Sequence, residues 1–251
     1  MVDFVGAGCG AADLITVRGV RLIQSADVII YAGSLVNTEL LSYAKDGCEI
    51  YNSAEMSLEK IIDVIRKAEA AGKHTVRLQT GDLSLYGALR EQADRLDELG
   101  IEYTVCPGVS SMFGAAAALK AEYTLPGVSQ SVIVTRMAGR TAVPECESIE
   151  ALAVHGCTMV IFLSAGMTAE LSERLIKGGY APDVPAAIVY KATWKDEKVM
   201  RCTVGTLHGT ALANGIKKTA LIIVGNVLGS DYELSKLYDK TFETEFRKAD
   251  K

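Results

Sequence analysis

Residues 2–11 read VDFVGAGCGA, a short apolar run that continues directly into a glycine-rich segment. The apolar residues at 2–5 predict a buried strand, and the glycines at 6, 8 and 10 predict a tight loop whose backbone can approach a ligand closely. Residues 6–11, called loop one below, nominally fit the G-x-G-x-x-G/A pattern of nucleotide-binding folds. A plain strand-to-helix turn is the alternative explanation of this loop.

Strand-like and helical patterns alternate through the rest of the first half, which is typical of parallel α/β layers. The clearest helix follows Ser57, an N-cap residue, and ends at Gly72, which suits a left-handed stop. Its apolar residues at 58, 61, 62, 65 and 68 form one stripe. The predicted strands are 2–5, 27–31, 49–52, 75–78 and 102–105, and the other predicted helices are 16–24, 86–99 and 111–119.

A second α/β set follows the polar, proline-containing stretch 120–127, the predicted domain junction. Its predicted strands are 131–135, 158–162, 186–190, 198–203 and 220–224, and its predicted helices are 148–154, 167–177 and 206–214. Residues 198–203 follow the preceding strand too closely for a crossover helix, so that pair is predicted to be antiparallel. The predicted fold is two α/β domains, 1–119 with a parallel five-stranded sheet and 120–235 with a mixed sheet, followed by a charged helix or tail at 236–251.

The composition of the 251 residues limits the classes of function. The chain is 49% hydrophobic and carries a net charge of −5, so we expect a globular protein without the basic face that nucleic acid needs. Its 6 cysteines form no C-x-x-C pair, and the three histidines, His74, His155 and His208, show no metal-ligand spacing. We expect no metal, no signal peptide, no membrane span and a cytoplasmic location.

Two more polar, glycine-bearing loops follow predicted strands. Loop four is TGDLSLYG at 80–87, and loop five is PGVSS at 107–111. Carboxyl ends of parallel strands share one sheet edge, so loops one, four and five should converge there. None of them contains lysine or arginine, which favours a neutral or cationic nucleoside over a polyphosphate. The alternative is that Asp82 and Ser110 only cap the helices behind them.

A dinucleotide such as NAD is disfavoured, because the second strand ends at Tyr31 with no carboxylate before Glu39. In the second half, basic side chains follow predicted strand ends and can receive the carboxylates of an anionic ligand. Solvated surface charge is the alternative explanation for each of them. These candidates are Arg136, Arg140, Lys191 and Lys195.

Six stretches resemble the tetrapyrrole methylase family, the class III S-adenosylmethionine-dependent methyltransferases, from about residue 2 to 229: VGAGCGAADLIT, ADVIIYAGSLV, RLQTGDLSLYGALREQ, CPGVSSMFGAAAALKAEYTLPGVSQSVIVTR, ATWKDEKVMRCTV and ALIIVGNVLG. Loop one departs from the family's usual G-x-G-P-G-D at Cys9 and Ala11, and loop four departs from G-D-P at Leu83. Both departures loosen a loop but remove no expected side-chain contact. Ala32 and Ser53 stand where uroporphyrinogen methylases carry an Asp and a Lys.

The resemblance implies methyl transfer from S-adenosylmethionine, bound in a ligand cleft between the two domains, to carbon 11 of precorrin-4 or cobalt-precorrin-4 in cobalamin biosynthesis, by a homodimer. The positive charge of the donor already activates the methyl group, so no strong protein nucleophile is required. Another tetrapyrrole methylase, a diphthamide-type methylase and a non-catalytic tetrapyrrole carrier remain alternatives. Carried over by position, the implied contacts of the methyl donor are Cys9, Thr80, Gly81, Asp82, Leu85, Ser110, Ser111, Ser164 and Ala192.

Overall fold

The computed structural model describes residues 1–249, which divide into two compact units. The first unit comprises Met1–Ala115 together with Lys191–Glu197, and the second comprises Ala116–Tyr190 and the chain from Lys198 onward. From the sequence, residues 191–197 are predicted to belong to the second domain. In the structure their contacts group them with the first unit, because this turn packs on loop one.

The sheet of the first unit is parallel throughout and has five strands in the order β3-β2-β4-β1-β5. This confirms the predicted parallel sheet, and places β1 between β4 and β5. The strands are β1 (Val2–Gly6), β2 (Val28–Tyr31), β3 (Glu49–Asn52), β4 (Thr75–Gln79) and β5 (Tyr103–Cys106). The helices are α1 (Val17–Ser25), α2 (Leu58–Ala70), α3 (Leu89–Glu98) and α4 (Ser111–Leu119), the last of which crosses the boundary at residue 115.

Apolar side chains cover both faces of this sheet, as parallel sheets require. On one face Phe4 and Ile30 pack with Ile65 of α2 and Leu96 of α3. The other face is built from a second cluster that includes Val5, Ile29 and Leu78 and the α1 residue Ile23. Helix α2 begins as predicted, since the Ser57 hydroxyl accepts the Lys60 N–H at 3.4 Å.

The predicted helix 86–99 is wrong at its start. Helix α3 begins at Leu89, because Tyr86 and Ala88 adopt left-handed backbone conformations with φ of 56° and 48°. A left-handed residue cannot continue a right-handed helix. Residues 80–88 therefore form a longer loop than the sequence pattern indicates.

The second unit contains a mixed five-stranded sheet in the order β6-β7-β10-β8-β9. Strands β6 and β7 are parallel, whereas β10 is antiparallel to both β7 and β8. The predicted antiparallel pairing of the last hairpin, β8 with β9, is confirmed. The strands are β6 (Val132–Arg136), β7 (Thr158–Phe162), β8 (Pro185–Tyr190), β9 (Lys198–Thr203) and β10 (Ala220–Val224), and the helices are α5 (Ile149–Ala153), α6 (Thr168–Lys177) and α7 (Leu207–Ala213).

The charged C-terminal segment forms no α-helix between residues 236 and 249, where the one regular element is a 3-10 turn at Lys236–Tyr238. Residues 250 and 251 of the predicted tail lie outside the described residues. Across the part of the chain that the structure describes, no helix is long and apolar enough to cross a membrane.

Candidate functional site

Loops one, four and five meet at the carboxyl edge of the parallel sheet, where the sequence predicts them to converge. Their strands β1, β4 and β5 are neighbours. Gly81 N–H donates to the Gly8 carbonyl at 2.8 Å, and Gly8 N–H donates to the Gly81 carbonyl at 3.3 Å. These two bonds form an isolated antiparallel bridge that joins loop one to loop four.

Glycine is required where the loops touch. A Cβ atom on Gly6 would lie 2.6 Å from the Gly108 Cα and 2.7 Å from the Gly81 carbonyl oxygen. These neighbours are backbone atoms and cannot rotate away. The three loops therefore approach one another through bare backbone.

Asp82 links loop four to loop five. One of its carboxylate oxygens accepts the Gly108 N–H at 2.8 Å, and the other accepts the Ser84 N–H at 2.9 Å. Burial acts to raise the pKa of Asp82, but the hydrogen bonds from Ser84 and Gly108 outweigh it and hold this pKa below its usual value. Asp82 does not cap α3, whose N-cap residue is Ala88.

Ser110 caps the start of helix α4, as the alternative explanation of loop five predicts. Its hydroxyl accepts the Met112 N–H at 3.4 Å at the start of α4, and the residue is buried. Ser111 is the first residue of α4. Thr80 and Leu85, the other predicted donor contacts of loop four, are partly exposed.

The turn 191–197 packs on loop one. The hydroxyl of Thr193 accepts the Ala11 N–H at 3.0 Å. A Cβ on Gly10 would lie 2.6 Å from the Ala192 carbonyl oxygen and 2.5 Å from Cδ1 of Trp194. Ala192, a predicted donor contact from the second half of the sequence, thus lies beside loop one of the first unit.

Cys9 is buried, and its sulfur accepts a hydrogen bond from the Thr193 hydroxyl at 3.6 Å. Burial raises the pKa of the Cys9 thiol, although the hydrogen bond from Thr193 partly offsets that rise. A neutral, buried thiol is a poor nucleophile. Cys9 therefore shapes loop one and does not supply reactive sulfur.

Ser164 belongs to the second unit and is fully buried. Its hydroxyl accepts the Met137 N–H at 2.9 Å and donates to the Phe162 carbonyl at 2.7 Å. Within that unit it ties the end of β6 to the end of β7.

The four predicted substrate-binding cations differ in their surroundings. Arg136 donates to the carbonyls of Met137, Thr141 and Ala142, so it organises its own loop. Arg140, in the same loop, is exposed. Lys191 pairs with Asp196 at 2.6 Å and lies 5.6 Å from the centre of the Trp194 ring. Lys195 pairs with Glu39 at 2.6 Å.

A cluster of buried polar side chains, Arg77, Gln79 and Gln92, supports the end of loop four. The sequence patterns did not predict this cluster. Arg77 donates to the Gln92 side-chain oxygen at 2.8 Å and to the Ile30 carbonyl at 3.1 Å. Gln92 and Gln79 in turn donate to the carbonyls of Ala88 and Gly87. The available signal was the pair of long polar residues at 77 and 79 in an otherwise buried strand.

Within residues 1–249, Gln79 Oε1 is buried without a hydrogen-bond partner. An unpaired buried acceptor costs about 1–3 kcal/mol. Gln79 is the last residue of β4, directly before loop four.

A model of one protein family, the Tetrapyrrole (Corrin/Porphyrin) Methylases, matches residues 1–208. This chain belongs to the tetrapyrrole methylase family. The predicted family resemblance is therefore confirmed, and the joined glycine loops are features of a tetrapyrrole methylase.

Curated relatives of this methylase match along its whole length. It is 55% identical over 251 residues to a cobalt-precorrin-4 C(11)-methyltransferase of Methanocaldococcus jannaschii, covering 100% of this chain and 97% of the relative. It is 46% identical over 249 residues to a cobalt-precorrin-4 C(11)-methyltransferase of Priestia megaterium, covering 97% and 96%. A uroporphyrinogen-III C-methyltransferase of Bacillus subtilis is less similar, with 32% identity, covering 99% and 97%.

A solved structure is also similar to this methylase. The X-ray structure of a cobalamin biosynthetic enzyme, cobalt-precorrin-4 methyltransferase, superposes with a TM-score of 0.89 at 44% identity, covering 91% of this methylase and 96% of that chain. The agreement confirms the predicted fold of one parallel and one mixed sheet.

Proposed function

We propose that this tetrapyrrole methylase transfers a methyl group from S-adenosylmethionine to carbon 11 of cobalt-precorrin-4 or precorrin-4 in cobalamin biosynthesis. The observation that carries the proposal is the junction of loops one, four and five at one sheet edge, in a chain 55% identical to a cobalt-precorrin-4 C(11)-methyltransferase. The uroporphyrinogen methylases are disfavoured, since Ala32 and Ser53 lack the acid and the amine expected there.

The methyl donor is proposed to bind at the junction of the three loops. Most of the proposed contacts belong to the first unit, and Ser164, which belongs to the second unit, is included on the family resemblance alone. The contacts are Cys9, Thr80, Gly81, Asp82, Leu85, Ser110, Ser111, Ala192 and Ser164.

The residues present fit an adenosyl sulfonium. The loops offer backbone donors and acceptors and the hydroxyls of Thr80 and Ser111, and they contain no lysine or arginine that would repel a cation. The Asp82 carboxylate adds one negative charge while it holds the loops together.

The chemistry asks the chain mainly to position its ligands. When bound, the sulfonium of the donor would supply an activated methyl group: a carbon–carbon bond to the substrate forms as the carbon–sulfur bond breaks, S-adenosylhomocysteine leaves as the neutral thioether, and the substrate loses a proton. Alignment of two reactants can lower such a barrier by about 7–11 kcal/mol. The interlocked glycine loops, whose contacts leave no space for a Cβ at Gly6, provide a rigid support for that alignment.

Arg140 and Lys195 are proposed to receive carboxylates of the anionic tetrapyrrole, with Arg136 and Lys191 shaping the segments beside them. Lys195 is exposed and paired with Glu39 on the surface. Exposed ion pairs contribute little to stability, so exchange of Glu39 for a substrate carboxylate costs little. Arg140→Glu and Lys195→Glu should weaken tetrapyrrole binding most at low salt, whereas Lys67→Glu on α2, an equal charge change, should not. Equal affinities for all variants would remove this assignment.

The function is tested with the purified protein in two steps. Calorimetry compares S-adenosylhomocysteine with NAD, and binding of NAD alone would end the methylase assignment. Labelled S-adenosylmethionine is then incubated with precorrin-4 and, separately, with cobalt-precorrin-4. A product heavier by one CH2 unit is expected, because the transferred methyl group replaces a proton, and the preferred substrate identifies the cobalt requirement. Tetrapyrrole binding without a mass gain would instead indicate a carrier, and the absence of tetrapyrrole binding would favour a diphthamide-type methylase.

We also propose a homodimer, which the family resemblance implies, and a cytoplasmic location, which the sequence predicts from its cysteine usage and from the lack of a recognisable signal peptide or membrane span. Light scattering on the eluting protein should give twice the chain mass, and fractionation of the source cells should recover the protein with the cytoplasm. A monomer, or recovery with membranes, would overturn the corresponding proposal.

A further inference from the structure

Loop one is held by a side chain far away in sequence. The Thr193 hydroxyl accepts the Ala11 N–H at 3.0 Å and donates to the Cys9 sulfur at 3.6 Å. The Thr193 N–H donates to the Glu197 carboxylate at 2.6 Å, which anchors the residue within its own turn. One hydroxyl thus contacts both the middle and the end of loop one.

The loop has no means of doing this itself. Residues 6–11, GAGCGA, contain no side-chain oxygen. Ala11 is the N-cap residue of the following 3-10 helix, Ala12–Leu14, and makes no side-chain cap. The bond from the Ala11 N–H is part-buried, and a backbone N–H left without an acceptor away from water costs up to about 1–3 kcal/mol. The Thr193 hydroxyl removes that cost for Ala11.

The backbone at Thr193 is strained. Its φ is 68°, in the left-handed region that β-branched residues avoid. Such conformations cost about 1–3 kcal/mol and persist where surrounding contacts over-determine them. At Thr193 the surrounding contacts are its hydrogen bonds to loop one and the close approach of Ala192 and Trp194 to Gly10, and these contacts hold the strained conformation.

We propose that Thr193 is the positioning residue of loop one, and that its hydroxyl holds the Cys9–Ala11 backbone in the conformation that binds the donor nucleoside. This inference rests on the proposed function for its ligand. The hydroxyl itself contacts the protein, so its effect on the donor is exerted through loop one.

Two readouts report on the loop without catalysis. Trp194 is the sole tryptophan of the chain, and its ring lies against Gly10, so its emission follows the conformation of loop one. Hydrogen exchange of the Ala11 amide reports the bond to Thr193 directly and needs no ligand.

The experiment compares Thr193→Val, which keeps the branched shape, with Thr193→Ser, which keeps the hydroxyl. Thr241→Val is the matched control, because it removes an exposed hydroxyl that bonds Asp239 in the C-terminal segment. Thr193→Val should bind S-adenosylhomocysteine about tenfold more weakly, shift the Trp194 emission and speed exchange of the Ala11 amide. Thr193→Ser and Thr241→Val should behave like the unchanged protein in all three measurements.

Wild-type affinity and exchange in Thr193→Val would overturn the inference, as would an equal loss in the valine and serine variants. If the valine variant does not fold, Thr193→Ala is compared with Thr193→Ser by the same measurements and the same criteria. Failure of the unchanged protein to bind S-adenosylhomocysteine would overturn the proposed function and, with it, the donor part of this inference. The exchange rate of the Ala11 amide would still decide whether Thr193 holds loop one.

Discussion

The Asp82 carboxylate accepts the backbone N–H of Gly108 at 2.8 Å, so a charged side chain of loop four holds the turn of loop five. The same carboxylate accepts the Ser84 N–H. One residue therefore ties together two of the three loops proposed to bind the methyl donor.

Asp82→Ala should lower both S-adenosylhomocysteine affinity and the free energy of unfolding, the latter by about 1.5–3 kcal/mol, because hydrogen bonds to a charged acceptor are lost. Asp82→Asn keeps one acceptor oxygen and should lose less. Titration calorimetry and urea unfolding measure the two effects. Equal affinity in the alanine variant and the unchanged protein would contradict the proposed junction.

The pKa of Asp82 also predicts a pH dependence. The folded protein holds this pKa below its value in the unfolded chain, near 3.9. The stabilisation is complete above the unfolded pKa and is lost as pH falls through the folded pKa. Urea unfolding from pH 6 to pH 2.5 should therefore show a smaller acid-induced loss in Asp82→Asn than in the unchanged protein. Superimposable pH profiles would refute the assignment.

Gly10→Ala should destabilise the protein by about 1–3 kcal/mol, because the added Cβ meets the Ala192 carbonyl and the Trp194 ring. Donor affinity should fall as well, since loop one must shift. Gly209→Ala in α7 is the control: a Cβ added there would meet no atom within 4 Å, and alanine should add about 0.5–1 kcal/mol of stability. Thermal unfolding measures the stability of both variants. Unchanged stability in Gly10→Ala would mean that the turn 191–197 moves away from the added Cβ at little cost.

Gln92→Leu should be more damaging than the double change Arg77→Met with Gln92→Leu. Burial lowers the pKa of Arg77 to about 10, so at neutral pH the guanidinium is still charged and needs its acceptors. Removing the Gln92 oxygen alone leaves a buried charge under-bonded, at a cost of about 3 kcal/mol or more. A double-mutant cycle in urea measures the difference. Additive losses at the two sites would show that the pair does not couple.

Native alkylation should discriminate between the cysteines. Cys146 is exposed, whereas Cys9 is 4% exposed and burial raises its pKa. Because the thiolate is the reactive form, iodoacetamide at pH 7.5 should label Cys146 well before Cys9. Peptide mass spectrometry over a time course gives both rates. Early labelling of Cys9 would indicate that loop one opens readily.

Local sequence patterns were sufficient to predict most strands and helices. Strands β7, β9 and β10 begin and end where the sequence predicts. Each is a short segment of residues that suit a strand, with turn residues close to its ends. The predicted start of α3 is wrong because Tyr86 and Ala88 form a left-handed turn. The side chains of Gln79 and Gln92 donate hydrogen bonds to the carbonyls of Gly87 and Ala88 in this turn. Apolar periodicity gives no indication of such contacts.

The sequence by itself determined the alternation of strands and helices, the family, and the placing of three glycine loops after three strands of a parallel sheet. Apolar periodicity and glycine positions are local properties, and parallel pairing brings the strand ends together. Tertiary structure alone decided that residues 191–197 join loop one, that Thr193 caps Ala11, and that Arg77 lies buried beside Gln92. Those contacts join residues distant in sequence or on different elements, and their geometry arises only when the chain has packed.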